Sequence, residues 1–461
     1  MGQVIFKRMW AWLMHTRLYI RALGKWISLA VVTGLACGVV GSAFHIGVEG
    51  ATMLRQLHPW LLWCLPAAGL LVVSIYKLTG TEGQGTNDII DQVHLGKGLS
   101  LLLLPAIFLG TVLTHLCGGS AGREGAALQM GGTLGYHTGL LFHLDDRDLR
   151  TATMTGMAAF FAALFGTPLA ATVFAMMVIS IGVIYHAAFI PCLTASLVAY
   201  GVSLLMGVEP THFAIAAPEL ELWMLVRVAV LAALCALVCV LLCGTLHATE
   251  KWMRALLPNP WLRIIAGGAA IVALTHLCGT TDYNGAGMEV IAAAVEEGQA
   301  RPLAFLLKIV FTSITLAAGF KGGEVVPSFF VGAAFGCAVG PLLGIPAGFA
   351  AAIGLVAVFC GAVNCPLASI FLSVELFGDG GLLYFALACG ISYMLSGYNG
   401  LYSSQTILYS KLKAEYINVH TNAHHAGRPH AKPLNHAHSN NHPETVLTRK
   451  DTHQTENEKS A

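Results

Sequence analysis

The stretch THLCGGSAGREGAALQMGGTLG, from Thr114 to Gly135, decides the fold class of this chain. It lies among apolar runs of bilayer length and carries a carboxylate at Glu124. A charged side chain at the centre of a membrane helix costs about 2.5 to 3.5 kcal/mol on insertion scales, so such residues are rare and usually mark ion pathways. Glu124 therefore indicates transport chemistry within a lipid bilayer.

The composition of the whole chain supports this interpretation. Of the 461 residues, 56% are hydrophobic and 11% are charged, and the mean hydropathy is +0.69. An average soluble domain has about 25% charged residues. The formal net charge of +1 provides no field that would attract nucleic acid, so no nucleic-acid partner is expected. We expect an integral membrane protein.

The N-terminal segment predicts the orientation of the chain. Basic residues precede the first long apolar run, which begins near residue 27; they are Lys7, Arg8, Arg17, Arg21 and Lys25. This run is too long for a signal-peptide core, so we expect a retained span. By the positive-inside rule, residues 1–25 form a cytoplasmic N-terminal segment.

Many apolar runs follow, and several are shorter than the about 20 residues that a membrane-spanning helix needs. The chain contains 51 glycines, which interrupt these runs. Glycine permits close helix packing, and short runs are typical of helices that end at membrane depth around a protein-lined cavity. The pattern predicts an all-α, polytopic membrane protein with tilted and broken helices.

An internal repeat divides the chain into two halves, about 26–207 and 220–411. GMAAFFAALFGTPLAATVFAMMV aligns without gaps on GLVAVFCGAVNCPLASIFLSVEL, so that Pro168 lies over Pro366. Upstream, GREG aligns on GGEV and places Glu124 over Glu324. Transporters built from inverted repeats bind substrate at the repeat interface, where the N-termini of half-helices point at an anion.

Both glutamates follow glycines and begin an apolar run, as expected at a helix N-terminus. Free amides and the helix dipole attract a small anion there. An ionised Glu124 would compete with that anion, and a protonated one would withdraw, so one residue can gate the path and carry a proton; a salt bridge with Arg123 is the simpler alternative. Glu324 is either a second proton relay or a cap of its own helix.

Two further segments carry hydrogen-bonding groups. The turn GTEGQGTNDIID contains Gln84, Gly85, Thr86 and Asn87, whose neutral groups can contact an anion without neutralising it. Near the end of the membrane part, Tyr402 either donates a hydrogen bond to an anion or anchors the chain at the membrane interface.

Together these pieces resemble the CLC family of chloride channels and anion/proton antiporters over roughly residues 26 to 412. GREG, the paired PLA segments and the late tyrosine occur in the family's order. SAGREGAALQMGG and FKGGEVVPSFFVGA are most similar to the bacterial fluoride-specific branch. The resemblance implies an inverted-repeat CLC-type fold, a homodimer, and transport of fluoride or chloride together with protons. No cofactor or metal is expected. An intramembrane enzyme is a further alternative, but the spans contain no Ser/His pair, HExxH motif or paired aspartates.

The resemblance also implies roles for individual residues. Glu124 takes the place of the external gating and proton-transfer glutamate, and Glu324 that of the additional glutamate of the fluoride branch. Tyr402 matches the inner pore tyrosine. Backbone amides that would face the anion belong to Gly122, Arg123, Gly125, Ala126, Val325 and Val326.

Three positions depart from the family pattern. The segment GSGIP reads GQGTN here, so Gln84 replaces the serine that contacts chloride. The internal glutamate pair of chloride/proton antiporters falls at Met177 and Val178, neither of which carries a proton. Val326 stands where fluoride-branch members tend to have threonine, which removes one polar contact.

We therefore expect a fluoride/proton antiporter that exports fluoride through the bacterial plasma membrane, with both termini cytoplasmic. The alternatives are a CLC-type chloride/proton antiporter and a passive chloride channel. The polar segment 412–461 is rich in histidine and is predicted to be a disordered cytoplasmic tail. It suggests an alternative of another class, a membrane protein that binds metal through this tail.

Overall fold

The computed structural model describes residues 2–413 and 415–422, with side chains from Thr16 onward. The helices are α1 (Gly2–Leu57), α2 (Leu65–Leu78), α3 (Thr86–Leu95), α4 (Leu103–Leu116), α5 (Glu124–Leu141), α6 (Asp146–Phe165), α7 (Pro168–Met177), α8 (Phe189–Leu205), α9 (Leu222–Leu256), α10 (Pro260–Cys278), α11 (Met288–Ala292), α12 (Ala304–Ala318), α13 (Val325–Val339), α14 (Ala347–Val363), α15 (Pro366–Phe377) and α16 (Leu382–Leu395). Single turns of 3₁₀ helix lie at Pro59–Cys64, His186–Ala188 and Gly340–Leu343, with a π-helical turn at Ala293–Glu297. Three short strands are β1 (Ser180–Ile181), β2 (Thr406–Tyr409) and β3 (Tyr416–His420).

Helices of two lengths build the described part of the chain. Six segments are long and apolar enough to cross a membrane; they are Thr16–Leu57, Pro59–Leu78, His186–Leu205, Leu222–Leu256, Pro260–Cys278 and Val325–Leu343. Six further apolar helices have only 10–17 residues. This mixture is what the interrupted apolar runs predict, because a helix of 10–17 residues is too short to cross about 30 Å of hydrocarbon at 1.5 Å per residue.

The predicted helix breaks occur at the two PLA segments and have the same local geometry. Gly166 and Asn364 end α6 and α14 in the left-handed conformation, with φ of 70° and 58°. The next residue is extended in both halves: Thr167, before Pro168, has φ of −120° and ψ of 72°, and Cys365, before Pro366, has φ of −121° and ψ of 72°. Proline suits the first turn of a helix because its missing amide is not needed there. Each break therefore consists of a left-handed residue, an extended residue and a proline that starts the next helix.

The protein core is centred on α6 and α14, which are buried on nearly all sides. Each packs against the helix that starts at one of the glycine motifs, through contacts that only glycine permits. A Cβ on Gly131 or Gly156 would collide with the other helix of the α5–α6 pair, and the same holds for Gly332 and Gly354 in the α13–α14 pair. Backbone contact of this kind brings membrane helices close together.

The structure corrects one register of the predicted repeat. The sequence alignment places Glu124 over Glu324, 200 positions later. In the structure, α5 begins at Glu124 and α13 at Val325, so the equivalent positions are 201 residues apart. Arg123 and Glu324 are the residues that cap the two helices, with closely similar backbone angles. The two glutamates are therefore not symmetry-equivalent, and their side chains need not serve the same purpose.

Two boundaries also differ from the sequence-based expectation. Residues 2–25, predicted as a cytoplasmic N-terminal segment, continue without a break into the first span as one helix, α1. At the other end, the predicted tail starts at residue 412, but β3 pairs antiparallel with β2, which in turn pairs parallel with β1. Residues 416–420, which were predicted to be part of a disordered tail, therefore form a paired strand. The rest of the predicted tail, from residue 423, lies outside the described residues, as do its histidines beyond His420.

Candidate functional site

The N-termini of α5 and α13 meet at a pair of backbone hydrogen bonds. The Gly122 amide donates to the Gly323 carbonyl at 2.7 Å, and the Gly323 amide donates to the Gly122 carbonyl at 2.8 Å. A Cβ on Gly125 would lie 2.9 Å from the Gly323 Cα. Glycine is therefore required at this crossing, where the two halves bring their helix starts together. Ala126, in the first turn of α5, is fully buried at the same place.

Glu124 is completely buried at the crossing, with 0% of its surface exposed. Its Oε2 accepts a hydrogen bond from the Val326 amide at 3.2 Å, in the first turn of α13. Its Oε1 has no hydrogen-bond partner among the described residues. The Glu124 carboxylate of the first half thus binds the Val326 amide at the helix N-terminus of the second half, where an anion could bind instead. Val325, the neighbouring residue, is buried.

Arg123 forms no ion pair within 4 Å of this carboxylate. Its guanidinium forms an ion pair with Glu49 on α1, with 3.6 Å between Nη1 and Oε1, and Glu49 also contacts His45 Nε2 at 2.8 Å. The simpler alternative for Glu124, a salt bridge to Arg123, is therefore wrong for this conformation. A buried carboxylate without a cation in contact is costly, so Glu124 is stable there only when protonated or when the surrounding amides compensate.

A cavity of about 540 Å³ lies next to the crossing. Glu324 and Tyr402 line it, together with the loop that begins α3. Glu124 is not among its lining residues. The two glutamates therefore occupy different compartments, one sealed within the crossing and one at the wall of the cavity.

The turn before α3 places Gln84, Gly85, Thr86 and Asn87 at the cavity wall. Some of their hydrogen-bonding groups already have partners within the protein. The Gly85 amide donates to Asp88 Oδ2 at 2.8 Å in a capping interaction. Asn87 Oδ1 accepts from the Ser404 amide at 3.1 Å and so ties the α3 turn to the loop that carries Tyr402. Gln84 lines the cavity, and its Oε1 has no partner within the described chain.

Tyr402 is 2% exposed and lies between α16 and β2, within the loop rather than on a helix. Its hydroxyl has no hydrogen-bond partner among the described residues. The Thr421 hydroxyl, just after β3, donates to the Tyr402 carbonyl, so the segment after the last strand holds this loop. A buried phenol without a partner is a hydrogen-bond donor available to an anion.

Sequence reasoning missed two residues of the cavity wall. Gln129 lies in the quoted stretch, but only the fold brings it to Thr86, to which its Nε2 donates at 3.2 Å. Lys321 places its ammonium group 4.0 Å from the centre of the Tyr76 ring. Lys321 lies three residues before Glu324 in the second glycine motif, and this position could have identified it as a residue near the site.

The structure thus brings the predicted residues together in two groups. Gly122, Glu124, Gly125 and Val326 form the crossing, and the remaining hydrogen-bonding groups line the cavity, with Arg123 directed away to Glu49. No group of three or more His, Cys, Asp or Glu side chains is placed to hold a metal ion within residues 16–413 and 415–422. The arrangement suits a small anion that accepts hydrogen bonds, beside carboxyl groups that can carry protons.

Comparisons with known proteins agree on the family. Residues 67–397 match the family described as voltage gated chloride channel. A "Chloride/fluoride channel protein" of Pseudomonas syringae pv. tomato is 38% identical over 398 residues, which cover 84% of this chain and 88% of that protein.

Solved structures show the same fold. The crystal structure of a CLC-type fluoride/proton antiporter matches with a TM-score of 0.81 and 33% identity, over 84% of this chain and 98% of that chain. A slow cyanobacterial Cl⁻/H⁺ antiporter matches with a TM-score of 0.69 at 21% identity, over 81% of this chain and 94% of that chain, and shows the fold alone. The predicted CLC-type fold with broken helices is confirmed. This chain therefore belongs to the voltage-gated chloride channel family and is an integral membrane anion transporter of the CLC type.

Proposed function

We propose that this protein is a fluoride/proton antiporter that exports fluoride from the bacterial cytoplasm through the plasma membrane. The observation that carries this proposal is the hydrogen bond from the Val326 amide to Glu124 Oε2. A carboxylate bound at a helix N-terminus competes with an anion for the same amide. Protonation removes its charge and weakens that bond, so the entry of an anion and the uptake of a proton are linked.

The position of the cavity supplies a direction for this exchange. The basic residues at the start of α1 predict that its N-terminus is cytoplasmic. If α1 and the following segment to Leu78 each cross the membrane, the loop after α2 returns to the cytoplasmic side. This loop contains Gln84 and lines the cavity. We therefore assign the cavity to the cytoplasmic side, from which fluoride enters.

Glu324 lies at the wall of this cavity, where a proton that leaves Glu124 can reach the cytoplasm. The side chains at Met177 and Val178 cannot carry a proton, so Glu324 supplies the inner step. It occupies the N-cap position of α13, but its side chain makes no capping hydrogen bond, which favours the relay over the cap. The proposal also includes a CLC-type membrane domain, a C-terminal tail beyond Asn422, a homodimer and a cytoplasmic position for both termini.

The relatives support fluoride as the anion. The solved structure with a TM-score of 0.81 is that of a CLC-type fluoride/proton antiporter. The Pseudomonas relative has both chloride and fluoride in its name. Gln84 and Tyr402 present hydrogen-bonding groups to the cavity, and a small halide gains most from such donors because attraction rises as the distance falls.

Purified protein in liposomes loaded with potassium fluoride or potassium chloride tests the proposal. Valinomycin holds the membrane potential, an electrode follows the halide, and a dye records internal pH. Fluoride should leave at least about tenfold faster than chloride, which is a difference of about 1.4 kcal/mol in barrier height. The liposome interior should acidify as fluoride leaves. Equal rates for both halides would contradict the choice of anion; protein-free liposomes correct for leakage of hydrogen fluoride.

A passive channel is the second candidate, because the Pseudomonas relative is named a channel. A channel would release fluoride without acidifying the interior beyond the protein-free control. The same recording of internal pH therefore separates the two candidates.

A further inference from the structure

Five residues that line the cavity have a buried polar atom without a partner among the described residues: Tyr76 Oη, Gln84 Oε1, Gln129 Oε1, Arg263 Nε and Tyr402 Oη. Three of them, Gln84, Gln129 and Tyr402, belong to the sequence segments that carry the predicted site residues. Buried polar atoms in folded proteins are nearly always hydrogen-bonded. Because these atoms border one cavity, a species inside the cavity can supply the partners that they lack.

Among Gln84, Gln129 and Tyr402, Gln129 is the residue that neither the sequence motifs nor the family resemblance assigned. It lies on α5, five residues after Glu124, and is 5% exposed. Its Nε2 donates to Thr86 Oγ1 at 3.2 Å. The Thr86 hydroxyl in turn donates to the Gly125 carbonyl at 3.4 Å, which is long for an O–H donor.

The amide of Gln129 can serve the site in a second orientation. The oxygen and nitrogen of a glutamine amide are nearly interchangeable in shape, and their assignment follows from the hydrogen bonds. After a half-turn of the amide, Oε1 accepts the Thr86 hydroxyl proton and Nε2 takes the position of the unpartnered oxygen. Only the long bond from Thr86 to Gly125 is lost. An N–H donor then occupies the place where a partner is missing.

We infer that Gln129, held by Thr86, donates an amide hydrogen bond to the anion in this cavity and contributes to the selection of fluoride. This inference rests on the proposed function and adds a residue to its binding site. Gln129 is the binding residue, and Thr86 is a positioning residue that acts through it. Fluoride benefits more than chloride, because the smaller ion approaches the N–H group more closely.

Gln129→Leu tests this role, since leucine keeps much of the apolar volume and removes the amide. Purified protein is titrated calorimetrically with sodium fluoride and, separately, with sodium chloride. The Kd for fluoride should rise about tenfold or more, as expected when a hydrogen bond to an ion is lost. The Kd for chloride should rise less.

Gln92→Leu is the matched control. Gln92 is also buried, with an Oε1 that has no partner among the described residues, but it lies outside the cavity wall on α3. Its replacement should leave both Kd values unchanged. An equal loss in Gln92→Leu would show that any buried glutamine has this effect and would overturn the inference.

Thr86 provides an independent test should Gln129→Leu fail to elute as a folded species. Thr86→Val keeps the shape and removes the hydroxyl, so the fluoride Kd should rise about threefold, less than for Gln129→Leu because the amide remains. Thr86→Ser keeps the hydroxyl and should bind like the wild type. A wild-type fluoride Kd in folded Gln129→Leu, or in Thr86→Val where the former does not fold, would overturn the inference.

The wild-type titrations separate this inference from the proposed function. If the wild type binds chloride as tightly as fluoride, the fluoride function is contradicted, while a weaker Kd for both halides in Gln129→Leu still supports Gln129 as an anion ligand. If the wild type prefers fluoride and Gln129→Leu has no effect, the inference alone is wrong. A wild type that binds neither halide contradicts both.

Discussion

At the scale of single residues, the two membrane carboxyl groups differ in what surrounds them. Glu124 is sealed in the crossing with one amide on its Oε2, whereas Glu324 faces the cavity. Arg123, the nearest cation along the chain, is paired with Glu49. In the proposed mechanism, the gate therefore depends on the protonation of Glu124 and on backbone amides, and Glu324 faces the side assigned to the cytoplasm.

Glu124→Gln should separate the two ion movements. Glutamine has the shape of the protonated side chain and cannot release a proton, so proton flux in liposomes should fall to that of protein-free liposomes while fluoride flux persists. Parallel recordings of fluoride efflux and internal pH check this result. Proton uptake at the wild-type rate would show that Glu124 does not carry the proton.

Glu324→Gln should lower proton flux by about a hundredfold, the lower end of what a proton-transfer group contributes. Fluoride binding, measured by calorimetry, should change little because the helix start of α13 is retained. Glu82→Gln is the control, since Glu82 also lines the cavity and lies far from the crossing in sequence. If both variants lose proton flux equally, the cavity charge matters and Glu324 has no special role.

At the scale of helices, the α5–α6 and α13–α14 pairs set the position of the crossing. Their contacts run through glycines whose Cβ would strike backbone atoms of the partner helix, such as Gly354 against Gly332. Backbone cannot move aside as a flexible side chain can. Rigid pairs of this kind hold the two helix N-termini within hydrogen-bonding distance across the repeat interface.

Gly354→Ala should therefore destabilise the protein by about 1 to 3 kcal/mol, as overpacking does in tight cores. Gly201→Ala is the control within α8, because nothing lies within 4 Å of its added Cβ. Alanine there should be neutral or stabilise by up to about 1 kcal/mol through helix propensity. Thermal unfolding of the protein in detergent measures both. A lower melting temperature for Gly201→Ala than for Gly354→Ala would contradict this account of the helix pair.

The sequence predicts helix breaks better than it predicts register. A proline cannot continue the preceding helix but suits the start of the next one. The paired PLA segments were therefore enough to predict both breaks. Glycine-rich turns lack that information, and a gapless alignment placed Glu324 one residue from its structural equivalent. Gln129 was missed for another reason: its contact with Thr86 spans 43 positions and exists only after folding.

At the scale of the whole molecule, the end of the described chain contacts the loop that carries Tyr402. Thr421 donates to the Tyr402 carbonyl, and the Asn422 side chain exchanges hydrogen bonds with Gly400 at 3.2 Å and 2.9 Å. Strand β3 delivers these residues to the Tyr402 loop. The composition of residues 412–461 assigns this segment to the tail, although Tyr416, Ile417 and Val419 are residues that favour a strand.

Truncation should distinguish this segment from the residues beyond it. Removal of residues 423–461 should leave fluoride flux in liposomes close to that of the wild type, which would contradict a metal-binding function through the tail. Removal of residues 415–461 also deletes β3 and the contacts of Thr421 and Asn422, so flux should fall as the Tyr402 loop loses its support. Equal flux from both truncated proteins would show that β3 does not support the loop.

Coupling between fluoride and protons is the central claim, and one liposome measurement tests it most directly. Liposomes contain high fluoride, the internal and external pH are equal, and valinomycin with equal potassium on both sides holds the potential at zero. Fluoride leaving down its gradient should then draw protons inward, so the interior becomes more acidic than the medium and more acidic than in protein-free liposomes. Fluoride efflux through the protein without this additional acidification would contradict the antiporter account.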